Sequence, residues 1–502
     1  MNTNDNHQAS VFLHTEHRVA PVDERIFGGF LEHLGRAVYG GVYDPGNSLS
    51  DERGFRTDVL DVLRPLRMPM VRYPGGNFVS SHDWRHAIGP RDQRPRRPDF
   101  AWSSIETHQF GTDEFMQWCE ALGTKPMMAV NLGTGNPAEA AALLEYCNLP
   151  AGTSYADERV TNGHAEPHGV TMWCLGNEMD GFWQAGHVPA QTYAERARVA
   201  SQLMKGLDPS IETVACGSSA RELPSYLKWD RTVLEHCWDT VDFISAHRYS
   251  RNPHDDTKSF LAEGIAIEST VNDYRALLTY VKAIKNSKHN VHLSFDEWNV
   301  WYRATSEDGC WQEAPHLLEE HYNLQDALVC AQYLNSFVRN ADVVHSASLA
   351  QIVNVIAPVL TRPDGLLIQS IYWPFKMLRD AMSGDALRVS VRAPEMSTRS
   401  RDVPVIDVAA TYDEATGTAS ASLINRDPEA SVDVAINIAG SSFDVVSGLV
   451  ITGDPKARNE WDAPNVIRPA TADIRVDESG ALHVVLPGPS HTVITLQSSG
   501  LS

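Results

Sequence analysis

Eight times between about residue 25 and residue 382 a short apolar run gives way to a longer stretch of helical spacing. Few folds accommodate that alternation. The apolar runs at 25–30, 68–73, 126–131, the one that opens at Trp173, and those at 211–216, 241–246, 291–296 and 344–349 read as strands. Helical spacing fills 54–66, 111–122, 137–147, 191–206, 221–236, 268–287, 322–339 and 370–382. In one of these stretches Tyr193, Ala197, Ala200 and Met204 share a face, and Gly206 followed by Pro209 supplies the stop. Alternating strand and helix imply a parallel sheet, and eight units favour a closed (β/α)8 TIM barrel over an open doubly wound sheet.

After about residue 384 the helical spacing ends. Val-, Ile-, Ala- and Thr-rich runs near 386–392, 404–411, 418–424, 431–438, 443–451, 482–486 and 492–496 are separated by Gly, Asp, Asn and Pro. They read as an antiparallel, jelly-roll-like β-sandwich. The expected division is residues 18–383 for the barrel and 384–502 for the sandwich, with residues 1–17 adding a strand near 9–14 to the sandwich.

Composition bounds the function. Of the 502 residues 42% are hydrophobic and 21% charged, which suits a globular chain with a sizeable core. A formal net charge of −22 argues against nucleic acid and anionic membranes, since phosphates need a basic surface. The seven cysteines are dispersed and include no C-x-x-C pair, so neither a disulfide framework nor a thiolate metal site is indicated. Residues 1–6 lack the basic and apolar regions of a signal peptide, and no apolar run is long enough to cross a membrane, so a soluble, cytoplasmic protein is expected.

Two of the strands carry the chemistry. Trp173-Cys174-Leu175-Gly176-Asn177-Glu178-Met179-Asp180 is an apolar run that closes in an amide and a carboxylate. About 120 residues later Val291-His292-Leu293-Ser294-Phe295-Asp296-Glu297-Trp298-Asn299 repeats the pattern. Barrel catalysis sits where strands end, and the fourth and seventh strands can face each other across the mouth. Two strand-end glutamates suggest paired-carboxylate chemistry on a sugar. Asp180 and Asp296 compete for the same assignment. Strand alternation sends Asp296 and Glu297 to opposite sides, so only one is expected to enter the mouth.

Four blocks, Phe30-Leu31-Glu32-His33-Leu34-Gly35, Arg72-Tyr73-Pro74-Gly75-Gly76-Asn77-Phe78, Gly176 to Gly181 and Phe295 to Trp301, resemble glycoside hydrolase family 51, the α-L-arabinofuranosidases. The resemblance continues through Asp326-Ala327-Leu328 and Ala350-Gln351-Ile352-Val353-Asn354-Val355 and covers nearly the whole chain. It implies a retaining exo-hydrolase that releases terminal arabinofuranosyl groups from arabinan, arabinoxylan or their oligosaccharides. Glu178 then matches the acid/base and Glu297 the nucleophile. Glu32, Asn77, Asn177 and Gln351 match residues that contact the sugar, with Asn177 expected to hold the 2-hydroxyl. His247 and Tyr249 match two further pocket residues. Trp102 and Trp301 are candidates for packing against apolar sugar faces. The resemblance also implies a homo-oligomer, commonly a hexamer, and no cofactor. The alternative is another retaining glycosidase on the same barrel, an endo-glucanase or xylanase, or else a carbohydrate-binding protein without turnover.

Other signals are weaker. Gly133-Thr134-Gly135-Asn136-Pro137-Ala138 nominally matches a dinucleotide loop, but Pro137 removes a backbone donor that a phosphate would use. Twenty histidines include no H-E-x-x-H, so no metal site is expected, and His164 and His168 read as exposed loop residues. The basic, proline-broken run at 90–98 reads as a solvated loop.

Overall fold

The computed structural model describes residues 7–303, 309–477 and 480–499; residues 1–6, where the absence of a leader is read, lie outside the described residues. Eight parallel strands close into a barrel: β1 (Gly28–Phe30), β2 (Met70–Tyr73), β3 (Lys125–Ala129), β4 (Met172–Leu175), β5 (Glu212–Ala215), β6 (Phe243–Ser250), β7 (His292–Val300) and β8 (Val344–Ala350). β8 pairs with β1 and shuts the ring, with Ala350 opposite Phe30. The eightfold alternation in the sequence therefore does close as a TIM barrel.

Period-two alternation divides each strand between interior and shell. Met70, Met127, Met172, Val214 and Phe243 fill the lower interior, while Val71, Met128, Trp173, Ala215 and Ile244 join the larger cluster under the helices. Arg72 and Cys174 lie two residues beyond Met70 and Met172, so the same alternation carries them to the inner face one layer higher. There they meet the carboxylates at the barrel mouth.

Several elements differ from expectation. The run at 25–30 begins as a 3-10 turn, Glu24–Phe27, because Asp23 accepts the Arg25 N–H at 2.9 Å; only Gly28–Phe30 is strand. The helix expected from 221 starts at Lys228, where Asp230 accepts the Leu227 N–H at 3.0 Å. The run at 386–392 splits into Asp385–Leu387 and Ser390–Arg392, which enter different sheets.

Those sheets have seven and five strands. They are mostly antiparallel, but His7–His14 runs parallel to Val432–Ala439 while pairing antiparallel to Ser390–Arg392. Arg18–Pro21 joins the seven-stranded sheet beside Asp385–Leu387. The helix Leu324–Arg339 is almost wholly buried because it lies between barrel and sandwich. Arg339 and Arg426 both pair with buried Asp407, at 3.1 and 2.8 Å, and Asn335 donates to the same carboxylate. This charge-paired seam fixes the sandwich against the barrel wall, away from the mouth. Among the described residues no helix is long and apolar enough to cross a membrane.

Candidate active site

A cavity of about 760 Å³ opens at the ends of the barrel strands. Glu32, Asn77, Trp102, Glu178, His247, Tyr249, Glu297, Trp301 and Gln351 all line it. The sequence scatters these residues over 320 positions; the barrel gathers them because each sits at or just past the C-terminal end of a strand, or in a loop that returns over one.

The two glutamates arrive differently. Glu178 follows β4 by three residues, after Gly176 at φ 97°, and itself adopts φ 46°. A left-handed backbone at a non-glycine residue is strained, and here it turns the carboxylate over the cavity. Glu297 lies within β7. The register of β7 against β8 slips between Phe295 and Trp298. Phe295 and Trp298 both pack outward on Phe337, with centroids 4.9 and 5.6 Å away. The two residues between them consequently both turn inward. Strict alternation, which would put Asp296 and Glu297 on opposite sides, is overridden by a bulge.

The bulge creates a dense charge cluster. Arg72, fully buried, donates to Glu297 Oε1 at 2.7 Å and to Asn177 Oδ1 at 2.7 Å, and its Nε lies 3.6 Å from Asp296 Oδ2. Tyr249 donates its hydroxyl to the other Glu297 oxygen at 2.8 Å. His247, directly opposite Glu297 in the register, bridges the set: Nδ1 is 2.9 Å from Glu178 Oε1 and 3.4 Å from Glu297 Oε2, and Nε2 is 3.1 Å from Asp296 Oδ1. Trp183 donates its indole N–H to Glu178 Oε2 at 2.6 Å. One carboxylate oxygen from each of Glu178 and Glu297 and one His247 nitrogen lie within 4.8 Å of one another.

Electrostatics assign charge within this cluster. Burial works against the Arg72 cation, yet Asp296 and Glu297 more than offset it and hold Arg72 charged. His247 is likewise penalised by burial but raised well above its ordinary value by Glu297 and Asp296, so it carries a proton at neutral pH. Burial pushes Asp296 up, and Arg72 and His247 bring it below its ordinary value. Burial also pushes Glu297 up; His247 and Arg72 oppose that, Glu178 adds to it, and the net direction is upward. Glu32, buried beside the Glu297 charge, is pushed up to about 8 despite accepting N–H groups from Phe78 and Trp102 at 2.9 and 3.1 Å. It is a neutral acid at neutral pH, able to donate as well as accept.

The floor near Glu32 is made close by glycine. A Cβ on Gly76 would stand 2.4 Å from Glu32 Oε2, so only glycine lets the β2 loop pass over that carboxyl. Gln351 completes the contact, accepting the Glu32 backbone N–H at 2.9 Å and donating to Oε2 at 3.3 Å. Asn177 is the expected sugar contact that does not line the cavity: its amide is buried, bonded to Arg72 and, at 3.2 Å, to Asn77. Trp301 packs edge-on against Tyr249 at 5.2 Å. Asp180 turns away and accepts the Ser219 N–H at 3.1 Å.

Sequence reasoning passed over Arg72, Trp183 and the pairing of Asp296 with Arg72 and His247. Arg72 had a signal, because an arginine inside a buried strand needs an anionic partner. Trp183 had none; it lies in a loop that only the fold brings back to Glu178. The loop Gly133–Ala138 packs against Ser80 and Ala185, where Cβ atoms would collide, and this accounts for its first glycine without a phosphate. His164 and His168 are not loose loop residues: both face Asp113, with side chains 20% and 9% exposed.

Comparison with known proteins adds an independent line. Residues 62–263 match the family model described as the alpha-L-arabinofuranosidase 1 domain, and residues 296–490 match the alpha-L-arabinofuranosidase C-terminal domain. The second match begins within β7, so that family unit includes the last part of the barrel as well as the sandwich. The chain is 41% identical over 500 residues to an intracellular exo-alpha-(1->5)-L-arabinofuranosidase of Acetivibrio thermocellus, covering 97% of this chain and 99% of that one. It is 42% identical over 506 residues to an exo-alpha-(1->6)-L-arabinofuranosidase of Bifidobacterium longum, covering 97% of each. A solved family 51 alpha-L-arabinofuranosidase from Bifidobacterium longum superposes with a TM-score of 0.94 at 37% identity, over 99% of this chain and 100% of that one.

Proposed function

Because this chain belongs to the family 51 α-L-arabinofuranosidases, we propose that it is a retaining, exo-acting α-L-arabinofuranosidase that hydrolyses terminal non-reducing α-L-arabinofuranosyl groups of arabinan, arabinoxylan or their oligosaccharides. The observation that carries the mechanism is the approach of Glu178 and Glu297 to within 4.8 Å, oxygen to oxygen. Retaining enzymes hold their carboxyls about 5–5.5 Å apart, whereas inverting enzymes need about 6.5–9.5 Å to admit a water.

Glu297 attacks the anomeric carbon while Glu178 protonates the departing glycosidic oxygen, so the C–O bond breaks as the ester forms. Water then enters, Glu178 takes its proton, and the new C–O bond releases Glu297 as a carboxylate. The charge set supports this division. Arg72 and His247 offset Asp296 and Glu297, and Arg72 and Tyr249 each hold one Glu297 oxygen, which fixes its aim. Glu32, Asn77 and Gln351 offer hydrogen bonds to furanose hydroxyls, and a protonated Glu32 supplies a donor that an ionised one would not. Asn177 acts through its hold on Arg72 and Asn77 unless sugar binding frees its amide. Trp102 and Trp301 offer apolar faces to the substrate.

The relatives named for (1->5) and (1->6) linkages stand at nearly equal identity, so linkage is left to experiment. A cytoplasmic location is supported by the word intracellular in relatives' names, and a homohexamer by the family resemblance alone, which light scattering tests. The deciding measurement is hydrolysis of an aryl α-L-arabinofuranoside followed by NMR before the product mutarotates. Release of the α-anomer is expected. An inverted product removes the mechanism, and inactivity on this substrate with internal cleavage of glucan or xylan removes the substrate class.

A further inference from the structure

Beyond the mouth, on the outer face of the barrel, Asp113 stands in the first turn of the helix Thr112–Leu122, and the loop leading into β4 brings two histidines to it. His168 Nε2 is 3.1 Å from Asp113 Oδ1, and His164 Nε2 is 3.8 Å from the same oxygen. The three donor atoms lie within 4.8 Å of one another. Zinc bonds of about 2.0–2.1 Å at tetrahedral angles put neighbouring donors about 3.3 Å apart, a value the two measured spacings bracket.

We propose that Asp113, His164 and His168 bind one divalent cation of the zinc class, which ties the loop before β4 to the helix Thr112–Leu122. Two borderline imidazoles and one carboxylate make a donor set of the kind zinc takes, and the partly exposed His164 leaves room for water in the fourth position. Hydrogen bonding alone accounts for the group less well. At 3.8 Å His164 Nε2 is aimed at the carboxylate oxygen but beyond hydrogen-bond reach, and among the described residues its side chain has no hydrogen-bond partner.

The surroundings hold the three ligands in position. Tyr146 donates to the other Asp113 oxygen, Oδ2, at 2.7 Å, and accepts from Asn162 Nδ2 at 3.1 Å, which leaves Oδ1 facing the imidazoles. Fully buried Arg159 binds the His164 carbonyl at 3.1 Å, and the His164 N–H returns to the Arg159 carbonyl at 3.1 Å. The His168 N–H is fixed on the Cys147 carbonyl at 2.7 Å. Outer hydrogen bonds of this sort orient ligands and tune affinity. No step of the hydrolysis runs through this site, so the inference stands apart from the proposed reaction.

The test uses the full chain stripped with EDTA, then titrated with zinc chloride at neutral pH by calorimetry, with thermal melts in parallel. Expected are one ion per chain, a melting temperature that rises by a few degrees with zinc, and visible d–d bands of tetrahedral type when cobalt replaces zinc. His164→Ala and His168→Ala should each weaken binding at least about 100-fold, and Tyr146→Phe about 10–100-fold, the range of an outer hydrogen bond. Turnover of the EDTA-treated variants should equal that of the parent. If His168→Ala fails to fold, His164→Gln, at the more exposed position, serves in its place. No binding of zinc up to about a millimolar, a dissociation constant already too weak for a built site, overturns the proposal. So does binding of undiminished affinity in the variants, above all if it inhibits turnover, because the ion would then sit on Glu178, His247 and Glu297.

Discussion

Glu178 stands beyond the end of β4 on a left-handed turn, with one oxygen on His247 and the other on the indole of a partly exposed tryptophan. Glu297 lies inside β7, held by a buried arginine and the hydroxyl of a half-buried tyrosine. The loop-borne acid has one partner, the indole, that a substrate can displace; the strand-borne one has a guanidinium packed into the barrel. A group that must exchange protons with incoming molecules suits the first setting, and a group that must strike one carbon suits the second. The contrast is chemical, and not only architectural, if removing each carboxylate or its partners has a different kinetic consequence.

The largest effect should follow from Glu297→Ala. If Glu297 is the covalent nucleophile proposed above, its loss lowers kcat by about 10⁵-fold or more, on substrates with good and poor leaving groups alike. Azide should restore part of the rate and yield a glycosyl azide of inverted configuration. Restoration without an azide adduct would mean that Glu297 is not the attacking group.

Glu178→Ala should behave differently. A loss of about 10²–10⁴-fold is expected where the leaving group needs a proton, and far less for nitrophenolate-like leaving groups in the bond-breaking step. A Brønsted plot of rate against leaving-group acidity measures this directly. If both classes lose equally, the two glutamates do not divide the work as proposed.

Much of this contrast was legible in the sequence, and the rest was hidden for physical reasons. Two apolar runs ending in carboxylates among Trp and Asn marked the acids, because barrel strands deliver side chains at their C-terminal ends. The bulge at Asp296–Glu297 could not be read there, since it arises from Phe295 and Trp298 both seating on a helix that follows later in the chain. Trp183 was invisible for a related reason: its contact with Glu178 depends on the path of a loop, which carries no period. The pairing of His7–His14 with Val432–Ala439 joins residues some 425 positions apart, and nothing local specifies that it runs parallel.

Arg72→Met sharpens the comparison from the side of β7. It leaves His247 alone to offset buried Asp296 and Glu297, so a destabilisation of about 3–5 kcal/mol is expected, read as a lower melting temperature. Arg72 lowers the Glu297 titration, which already lies above 4.5, so removing it should move the acid limb of kcat/KM to higher pH. The sign follows because the proposed nucleophile works ionised: activity fails as pH falls through its titration. At optimal pH a further loss of about 10–100-fold is expected from the missing charged hydrogen bond. An acid limb that stays in place would detach Glu297 from that limb.

Glu32 offers a third carboxyl against which to calibrate both. Its titration is raised from 4.5 to about 8, so the stability it permits is intact below about 4.5 and lost as pH rises towards about 8 and beyond. Glu32→Gln keeps a donor but removes the ionisation. The melting temperature of the variant relative to the parent should therefore improve with pH across that window, while activity at neutral pH falls only modestly. A difference in melting temperature that is flat from pH 4.5 to 8 would mean that Glu32 ionises normally.

Trp183→Phe should give the smallest effect, and it bears most directly on why Glu178 belongs on a loop. The indole N–H holds Glu178 Oε2 at 2.6 Å, yet Trp183 is 39% exposed and lies at the cavity wall. If the departing oxygen replaces that N–H during reaction, the bond is made in the resting enzyme and broken on the way to the transition state. Its removal then costs little; phenylalanine retains the apolar wall and should change kcat/KM by no more than about 3–10-fold, a single exposed hydrogen bond's worth. The change should be confined to substrates that need protonation. A loss as large as that of Glu178→Ala would mean that the indole positions the acid throughout the reaction, and the looseness attributed to the β4 side would be an accident of the loop rather than part of the chemistry.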